Sequence, residues 1–187
     1  MKNDLPTTAA DAITRRADAE MPYRLPQPAH MLPELVHAGA MDAWLADDDL
    51  WVPVADRAWM KPLVLSASGG YYVNLLRVRR QGTLTRHRHT GPVHAFVLRG
   101  SWHYLEHEWV ASEKSYAFEP PGETHTLCVP ADCEEMITLF HVTGGYVYVD
   151  PDGKALGYED VFTKIDACRA HYEKIGLGAD YVDRFIR

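Results

Sequence analysis

From residue 71 onward, short runs of apolar residues alternate with turn-forming residues. The runs are rich in β-branched and aromatic types, which favour strands, and Gly or Pro separates many of them. Short strands at this regular spacing are typical of an antiparallel sandwich or a small barrel. The predicted strands cover residues 71–78, 93–98, 102–105, 109–110, 116–118, 126–130, 136–142 and 146–149.

The tail of the chain changes to a helical period. Apolar residues recur at helical spacing, Glu159 and Asp160 lie in the first turn, and Gly176 follows the last periodic residue. This pattern predicts one amphipathic helix from about 159 to 175, packed on the outside of the β core. Its expected apolar stripe consists of Val161, Phe162, Ile165, Cys168, Tyr172 and Ile175.

The first 40 residues lack such periodicity and mix Pro, Ala, Thr and scattered charge. We interpret residues 1–40 as an N-terminal arm, residues 41–157 as a β-barrel, and residues 158–187 as a helix and tail packed on the barrel. The predicted fold class is therefore all-β with a C-terminal helix, in a single domain.

Composition excludes several functions. The 187 residues carry a net charge of −7, so the chain lacks the positive field that attracts nucleic acids. No apolar run approaches the ~20 residues that span a bilayer, and the start does not resemble a secretory signal. The three cysteines have no paired spacing, which predicts buried free thiols and a cytoplasmic protein.

Histidines carry the candidate chemistry. The chain has ten, and His87 and His89 stand two residues apart, so in an extended strand both side chains leave the same face. His94 follows across a Thr-Gly-Pro turn, and His125 comes after a Pro-Pro-Gly turn. Imidazole nitrogens suit Fe, Cu, Ni and Zn, and three of them leave coordination positions open. The alternative interpretation is a basic surface strand, because Arg86 and Arg88 alternate with the histidines.

The histidine segment resembles the cupin family. The first cupin motif, G-x5-H-x-H-x(3,4)-E-x6-G, is similar to the stretch that contains Gly82, His87, His89, His94 and Gly100, with His94 in place of the usual Glu and small differences in spacing. The second motif, G-x5-P-x-G-x2-H-x3-N, is matched by Pro120, Gly122 and His125, while Lys114 and Val129 replace its Gly and Asn. The resemblance implies a cupin barrel, or jelly roll, over this region.

A finer resemblance is to the 2,4'-dihydroxyacetophenone dioxygenase family. It rests on three stretches, residues 100–107, 118–126 and 158–163. This resemblance implies an enzyme with non-haem Fe(II) that uses O2 to cleave a carbon–carbon bond of an aromatic α-hydroxyketone. The products would be 4-hydroxybenzoate and formate. We expect His87, His89 and His125 to bind the metal.

Further residues complete the expected site. His94 is expected as a fourth ligand or as a neighbour of the ligands, and Glu108 as a catalytic base. Glu106 and His107 share its turn, although a solvated hairpin tip is the competing interpretation. Phe96, Trp102 and Tyr104 are expected to line an aryl pocket, with core packing as the alternative. Glu119 and Glu123 are expected to face water.

Two other functions compete with this one. The first is another metal-dependent cupin enzyme, such as a diketone-cleaving dioxygenase or an isomerase. The second is a non-catalytic module that holds zinc as a sensor, although no DNA-binding segment accompanies the barrel. The expected partners are a small aromatic hydroxyketone, O2 and further copies of the chain in a homodimer or homotetramer, with no nucleic acid and no membrane.

Overall fold

The computed structural model describes residues 22–29, 31–45 and 49–187. The chain divides into two compact units, Met1–Leu35 and Val36–Arg187. The described part of the first unit contains neither helix nor strand. The other residues of this unit, which belong to the predicted N-terminal arm, lie outside the described residues. The second unit carries the strands and helices that position the candidate site.

The described chain forms twelve strands and one α-helix, in addition to two 3₁₀ helices at Ala40–Leu45 and Ala179–Phe185. The strands are β1 Val52–Ala55, β2 Ala58–Ser66, β3 Tyr71–Val78, β4 Gly82–His89, β5 Val93–Arg99, β6 Ser101–Tyr104, β7 Ala111–Ser112, β8 Tyr116–Glu119, β9 Thr124–Val129, β10 Met136–Thr143, β11 Gly145–Val149 and β12 Ala155–Asp160, and the helix is α1 Val161–Lys174.

The strands form two antiparallel sheets in a jelly-roll arrangement, which confirms the predicted fold class. The first sheet has the order β1-β2-β3-β10-β5-β8, and the second has the order β12-β11-β4-β9-β6-β7. Both sheets contribute buried side chains to one hydrophobic core, including Met60 and Phe140 from the first and Trp102 and Leu127 from the second. The core leaves a cavity of about 100 Å³ that opens beside β4.

Strand β12 was not predicted, and it changes where the helix begins. Glu159 lies in β12, and Asp160 is the N-cap of α1. The Asp160 carboxylate accepts hydrogen bonds from the backbone N–H groups of Phe162 and Thr163, and the Thr163 hydroxyl accepts from the Asp160 N–H. The helix therefore begins two residues after the predicted start at 159. The edge strand before it was not recognised because it contains Gly157 and acidic residues and lacks a strand-like pattern.

Four residues of the expected apolar stripe, Val161, Ile165, Cys168 and Tyr172, are buried as predicted. Phe162, however, is 57% exposed. Lys164 is buried at 5% exposure on the side that packs towards the sheets. An amphipathic helix usually buries its apolar residues and exposes its charged ones. Phe162 and Lys164 are both exceptions to this pattern.

The first sheet contains a buried cation, the guanidinium of Arg77 on β3. Arg77 is 1% exposed, and its guanidinium carbon lies 4.1 Å from the centroid of the Trp51 ring. Its Nε lies 3.4 Å from Oε1 of Glu135. The same carboxylate pairs with Arg79 and Arg99, at 2.7 Å and 2.9 Å. The Glu135 carboxylate therefore pairs with three arginine side chains.

The first sheet exposes a group of rings on its outer surface. His94, Phe96, Tyr116, Phe118 and His141 form this outer aromatic face. The Phe96, Tyr116 and Phe118 side chains are 46%, 52% and 55% exposed. The homodimer or homotetramer expected for the chain stays a prediction.

Two predictions from composition can be compared with the described residues. The three cysteines are free thiols, with Cys133 and Cys168 buried and Cys128 half-buried. Within the described residues, no helix has both the length and the apolar character needed to cross a membrane.

Candidate metal centre

The register of β4 against β9 brings three histidines together. His87 and His89 leave the same face of β4 because they are two residues apart. On the neighbouring strand, His125 stands directly opposite His87. Directly opposite residues of antiparallel strands project to the same side of the sheet, so all three side chains enter the interior. They are buried, at 6%, 4% and 0% exposure.

The three imidazoles meet at ligand-forming distances. One nitrogen from each ring lies within 4.8 Å of the others. The Nε2 atoms of His87 and His89 are 3.1 Å apart. The Nδ1 atom of His87 lies 3.3 Å from the Thr85 hydroxyl, a contact that turns the Nε2 lone pair inward when Nδ1 carries the proton.

The surroundings keep two of these rings, those of His87 and His125, neutral. Burial, together with the neighbouring histidines, lowers the pKa of His87 well below its ordinary value. Burial also lowers the pKa of His125 to about 4, against the opposing effect of Glu119. Both rings are therefore unprotonated at neutral pH, which is the state in which imidazole binds a metal.

Glu119 faces the three histidines, which corrects the expectation that it faces water. It is 2% exposed, and its Oε2 lies 3.2 Å from His89 Nε2 and 3.7 Å from His125 Nε2. The reason is strand alternation in β8: Tyr116 and Phe118 point outward, so Glu119 points inward. Glu123, the other acidic residue beside the Pro-Gly turn, is half-buried and contacts His107 rather than the three imidazoles.

The donor set fits a divalent metal ion. His125 Nε2 and Glu119 Oε2 are buried and have no hydrogen-bond partner among the described residues. Buried polar atoms without partners are costly, and a cation between them would satisfy both. Nitrogen from imidazole and oxygen from carboxylate are ligands of Fe and Zn.

Tyr104 is the expected pocket residue that the structure places at this centre. Its ring stacks on His125 with centroids 3.6 Å apart and planes 7° from parallel. Its hydroxyl donates to Glu119 Oε1 at 2.7 Å. Burial, followed by the charge of Glu119, raises the pKa of Tyr104 well above its ordinary value, so it remains a donor. Tyr104 thus orients both a ligand ring and the carboxylate.

His94 lies elsewhere, and the expectation that it joins the metal ligands is corrected. Its neighbours Val93 and Ala95 point into the core, so alternation along β5 sends His94 outward. There its Nδ1 lies 2.8 Å from the Tyr116 hydroxyl, and its ring stacks on His141. The place of His94 in the cupin motif predicted a metal ligand, but His94 lies on the outer face of β5, away from the three imidazoles.

Three other expected site residues also lie away from the imidazoles. Phe96 belongs to the outer aromatic face. Glu108 is exposed in the turn after β6, as the hairpin-tip interpretation has it. Trp102 is fully buried, but it packs against Trp109 and Phe140 in the core rather than lining the cavity.

Several cavity residues escaped the sequence analysis. The polar ones are Tyr72, Asn74, Thr85, Tyr146, Tyr148, Glu159 and Lys164, and apolar residues such as Met60, Leu84 and Val142 form much of the remaining wall. The alternation of Tyr146 and Tyr148 on one strand was an available signal. The burial of Lys164 had none, because a lysine on an amphipathic helix ordinarily faces water.

The jelly roll and the inward-facing histidines define a cupin with a candidate metal centre. A sequence profile described as the ChrR Cupin-like domain matches residues 40–147, and the chain belongs to this family. No curated protein sequence is significantly similar to the chain.

Solved structures share the fold. An RmlC-like cupin protein from Ralstonia eutropha is 29% identical, with a TM-score of 0.63 over 66% of this chain and 82% of the other. A second Ralstonia eutropha protein, of unknown function and with a cupin-like fold, is 27% identical, with a TM-score of 0.61 over 63% and 74%. An acetylacetone dioxygenase from Acinetobacter johnsonii is 19% identical, with a TM-score of 0.64 over 80% and 99%.

Proposed function

We propose that this cupin is an Fe(II)-dependent dioxygenase that cleaves the carbon–carbon bond of an aromatic α-hydroxyketone. The observation that carries the proposal is the convergence of three buried imidazoles, two of which, His87 and His89, line a cavity with largely apolar walls. Three neutral nitrogen ligands leave positions free for a substrate and O2, as a catalytic metal requires. The substrate of reference is 2,4'-dihydroxyacetophenone, converted with O2 to 4-hydroxybenzoate and formate.

In this proposal the chain supplies ligands, charge and a dry pocket. His87, His89 and His125 bind the metal, and Glu119 contributes a negative charge beside it. Ferrous iron, when bound, would polarise the two substrate oxygens as a Lewis acid and provide the redox chemistry for O2. The apolar side chains Met60, Leu84 and Val142 exclude water and accommodate an aryl ring.

The structural similarity to an acetylacetone dioxygenase suggests the diketone as a competing substrate. Both substrates present two oxygens to one metal, but only the aryl ketone places an aromatic ring in the cavity. Glu119 favours a second candidate function, a zinc-binding sensor module. If the carboxylate bound the metal as a fourth ligand, the set would be complete and tetrahedral, as in structural zinc sites.

Oxygen uptake and metal analysis test the proposed function. Protein purified without oxygen and loaded with Fe(II) should consume O2 with 2,4'-dihydroxyacetophenone and release equal amounts of 4-hydroxybenzoate and formate. Uptake with acetylacetone alone would favour the diketone enzyme. Tightly held zinc, with no uptake on either ketone, would contradict the enzyme and favour the sensor.

Glu119→Gln is expected to weaken metal binding. The substitution keeps the shape of the side chain and removes the negative charge beside the cation. We expect metal affinity to fall by about 10–100-fold, the usual cost of losing a group that supports metal ligands. Competition with a chelator measures the affinity. Glu123→Gln is the matched control, since that carboxylate pairs with His107 rather than with the three imidazoles, and an equal loss in both variants would contradict the role of Glu119.

A further inference from the structure

A second polar group lines the cavity beside the imidazoles. It consists of Tyr72, Tyr146, Tyr148, Glu159 and Lys164, which we call the lysine–tyrosine cluster. Tyr72 comes from the first sheet, the next three residues come from β11 and β12, and Lys164 comes from α1. The helix and both sheets thus contribute to one wall of the cavity.

Glu159 is the acceptor at the centre of the cluster. Its Oε1 lies 2.9 Å from Lys164 Nζ, and its Oε2 accepts hydrogen bonds from the hydroxyls of Tyr148, at 3.1 Å, and Tyr146. Burial alone would raise the pKa of Glu159, but the Lys164 ammonium and the tyrosine hydroxyls outweigh it and hold the pKa below its ordinary value. The carboxylate is therefore ionised and already has three donors.

Two donors of the cluster, the Tyr72 hydroxyl and the Lys164 ammonium, have capacity for a further acceptor. Tyr72 is 2% exposed, and its hydroxyl has no hydrogen-bond partner of good geometry in the described part of the chain. The Lys164 ammonium carries three protons and pairs with Glu159 through one contact. Its Nζ lies 5.5 Å from the Tyr72 ring and 6.0 Å from the Tyr146 ring. An oxygen acceptor is what this group lacks.

Packing alone does not account for these residues. An apolar side chain at position 164 would fill the interior at no cost in desolvation, since buried ion pairs are often no more stable than apolar replacements. A phenylalanine at position 72 would avoid a buried hydroxyl without a partner. Local violations of folding rules of this kind concentrate at functional sites.

Tyr146 places the cluster relative to the candidate metal centre. Its ring centroid lies 4.8 Å from that of His87 and 5.5 Å from that of His89, while its hydroxyl contacts Glu159. The ring of Tyr146 therefore lies between the imidazoles and the carboxylate of Glu159. A ligand that reaches both has to carry two oxygen-bearing ends with about one aromatic ring between them.

We propose that Lys164 and Tyr72 determine specificity by donating hydrogen bonds to a ring hydroxyl of the ligand, at the end opposite its ketone. This inference rests on the proposed function, which places the ketone end at the imidazoles. It narrows the substrate class to aryl ketones with a hydroxyl para to the ketone chain. The raised pKa of Tyr72, caused by burial and then by the charge of Glu159, keeps its hydroxyl protonated as a donor.

A pair of ligands that differ in one hydroxyl tests the proposal. The full chain loaded with Zn(II), which does not turn over, is titrated by calorimetry with 2-hydroxyacetophenone and with 2,4'-dihydroxyacetophenone. We expect the second to bind roughly 10–100-fold more tightly, as hydrogen bonds to a charged donor imply. Tyr72→Phe should reduce this preference severalfold, and Lys164→Met should remove most of it.

The variants separate recognition from structure. Tyr72→Phe should not lower the melting temperature, because the hydroxyl has no hydrogen-bond partner of good geometry among the described residues. Tyr158→Phe, which alters a tyrosine that is 64% exposed on β12, should keep the full preference. Equal affinities for the two ligands, binding of neither, or a preference that survives in both variants would overturn the proposal. The two ligands share the same ketone end, so the ratio of their affinities reports only on the ring hydroxyl. An absence of turnover would therefore count against the proposed reaction and not against this subsite.

Discussion

Alanine in place of His125 is expected to abolish metal retention. The ring is fully buried, stands opposite His87 and supplies one of three nitrogens. Its removal leaves two imidazoles beside Glu119 and a void beneath Tyr104, and the affinity of this smaller donor set should be too low to hold the ion against a chelator. The same loss is expected for His87→Ala and His89→Ala. Metal content per chain, measured by mass spectrometry after anaerobic purification and dialysis against a chelator, reports the outcome.

The outer histidines provide the matched controls for this experiment. His94→Ala and His141→Ala remove the same side chain from the outer aromatic face, away from the cavity. Both variants should keep the metal content of the unmodified chain. Full metal occupancy in any variant of the three buried histidines would show that the residue is not a ligand. Loss in His94→Ala as well would mean that metal retention depends on overall stability.

Glu135→Gln is expected to destabilise the fold strongly. Arg77 is buried at 1% exposure, and Glu135→Gln removes a negative charge that pairs with this buried cation. Breaking one side of a buried ion pair typically costs about 3–5 kcal/mol. For a chain of this size, that corresponds to a fall of roughly 6–20 °C in melting temperature. Thermal and urea unfolding, followed by circular dichroism, measure the change.

The neighbouring Glu134 gives the control for this prediction. It is exposed, and its substitution in Glu134→Gln changes the net charge of the chain equally. Its melting temperature should stay within about 2 °C of the original, since surface substitutions usually change stability by less than 0.5 kcal/mol. A comparable fall in both variants would assign the effect to net charge rather than to the cation beside Trp51.

The strands and the three converging histidines were predictable because they depend on local rules. Runs of β-branched and aromatic residues between turn residues identified most strands, and the period of two along a strand placed His87 and His89 on one face. The contribution of His125 required the resemblance to a family motif, since its partner strand is distant in sequence. Which residues oppose each other across two strands follows from tertiary pairing, which composition does not encode.

Glu119 and His94 show why the remaining site was misjudged. In β8 and β5, polar and apolar residues do not follow the usual rule: aromatic side chains occupy the outer face, and a carboxylate occupies the inner one. His94 was assigned to the metal by its place in the motif, and the Glu119 carboxylate was assigned to solvent because charged residues usually face water. Lys164 was missed for the same reason. Glu119 and Lys164 are functional candidates whose burial contradicts the ordinary preference of their residue types.

The centre draws its groups from both layers of the sandwich. The three imidazoles belong to β4 and β9 in the second sheet, whereas Glu119 belongs to the short edge strand β8 of the first. A cation held among them would join the layers across the core, much as a cross-link would. Metal binding would then stabilise the packing of the two sheets against each other. In a cell short of the metal, the protein would have a lower free energy of unfolding as well as an empty metal centre.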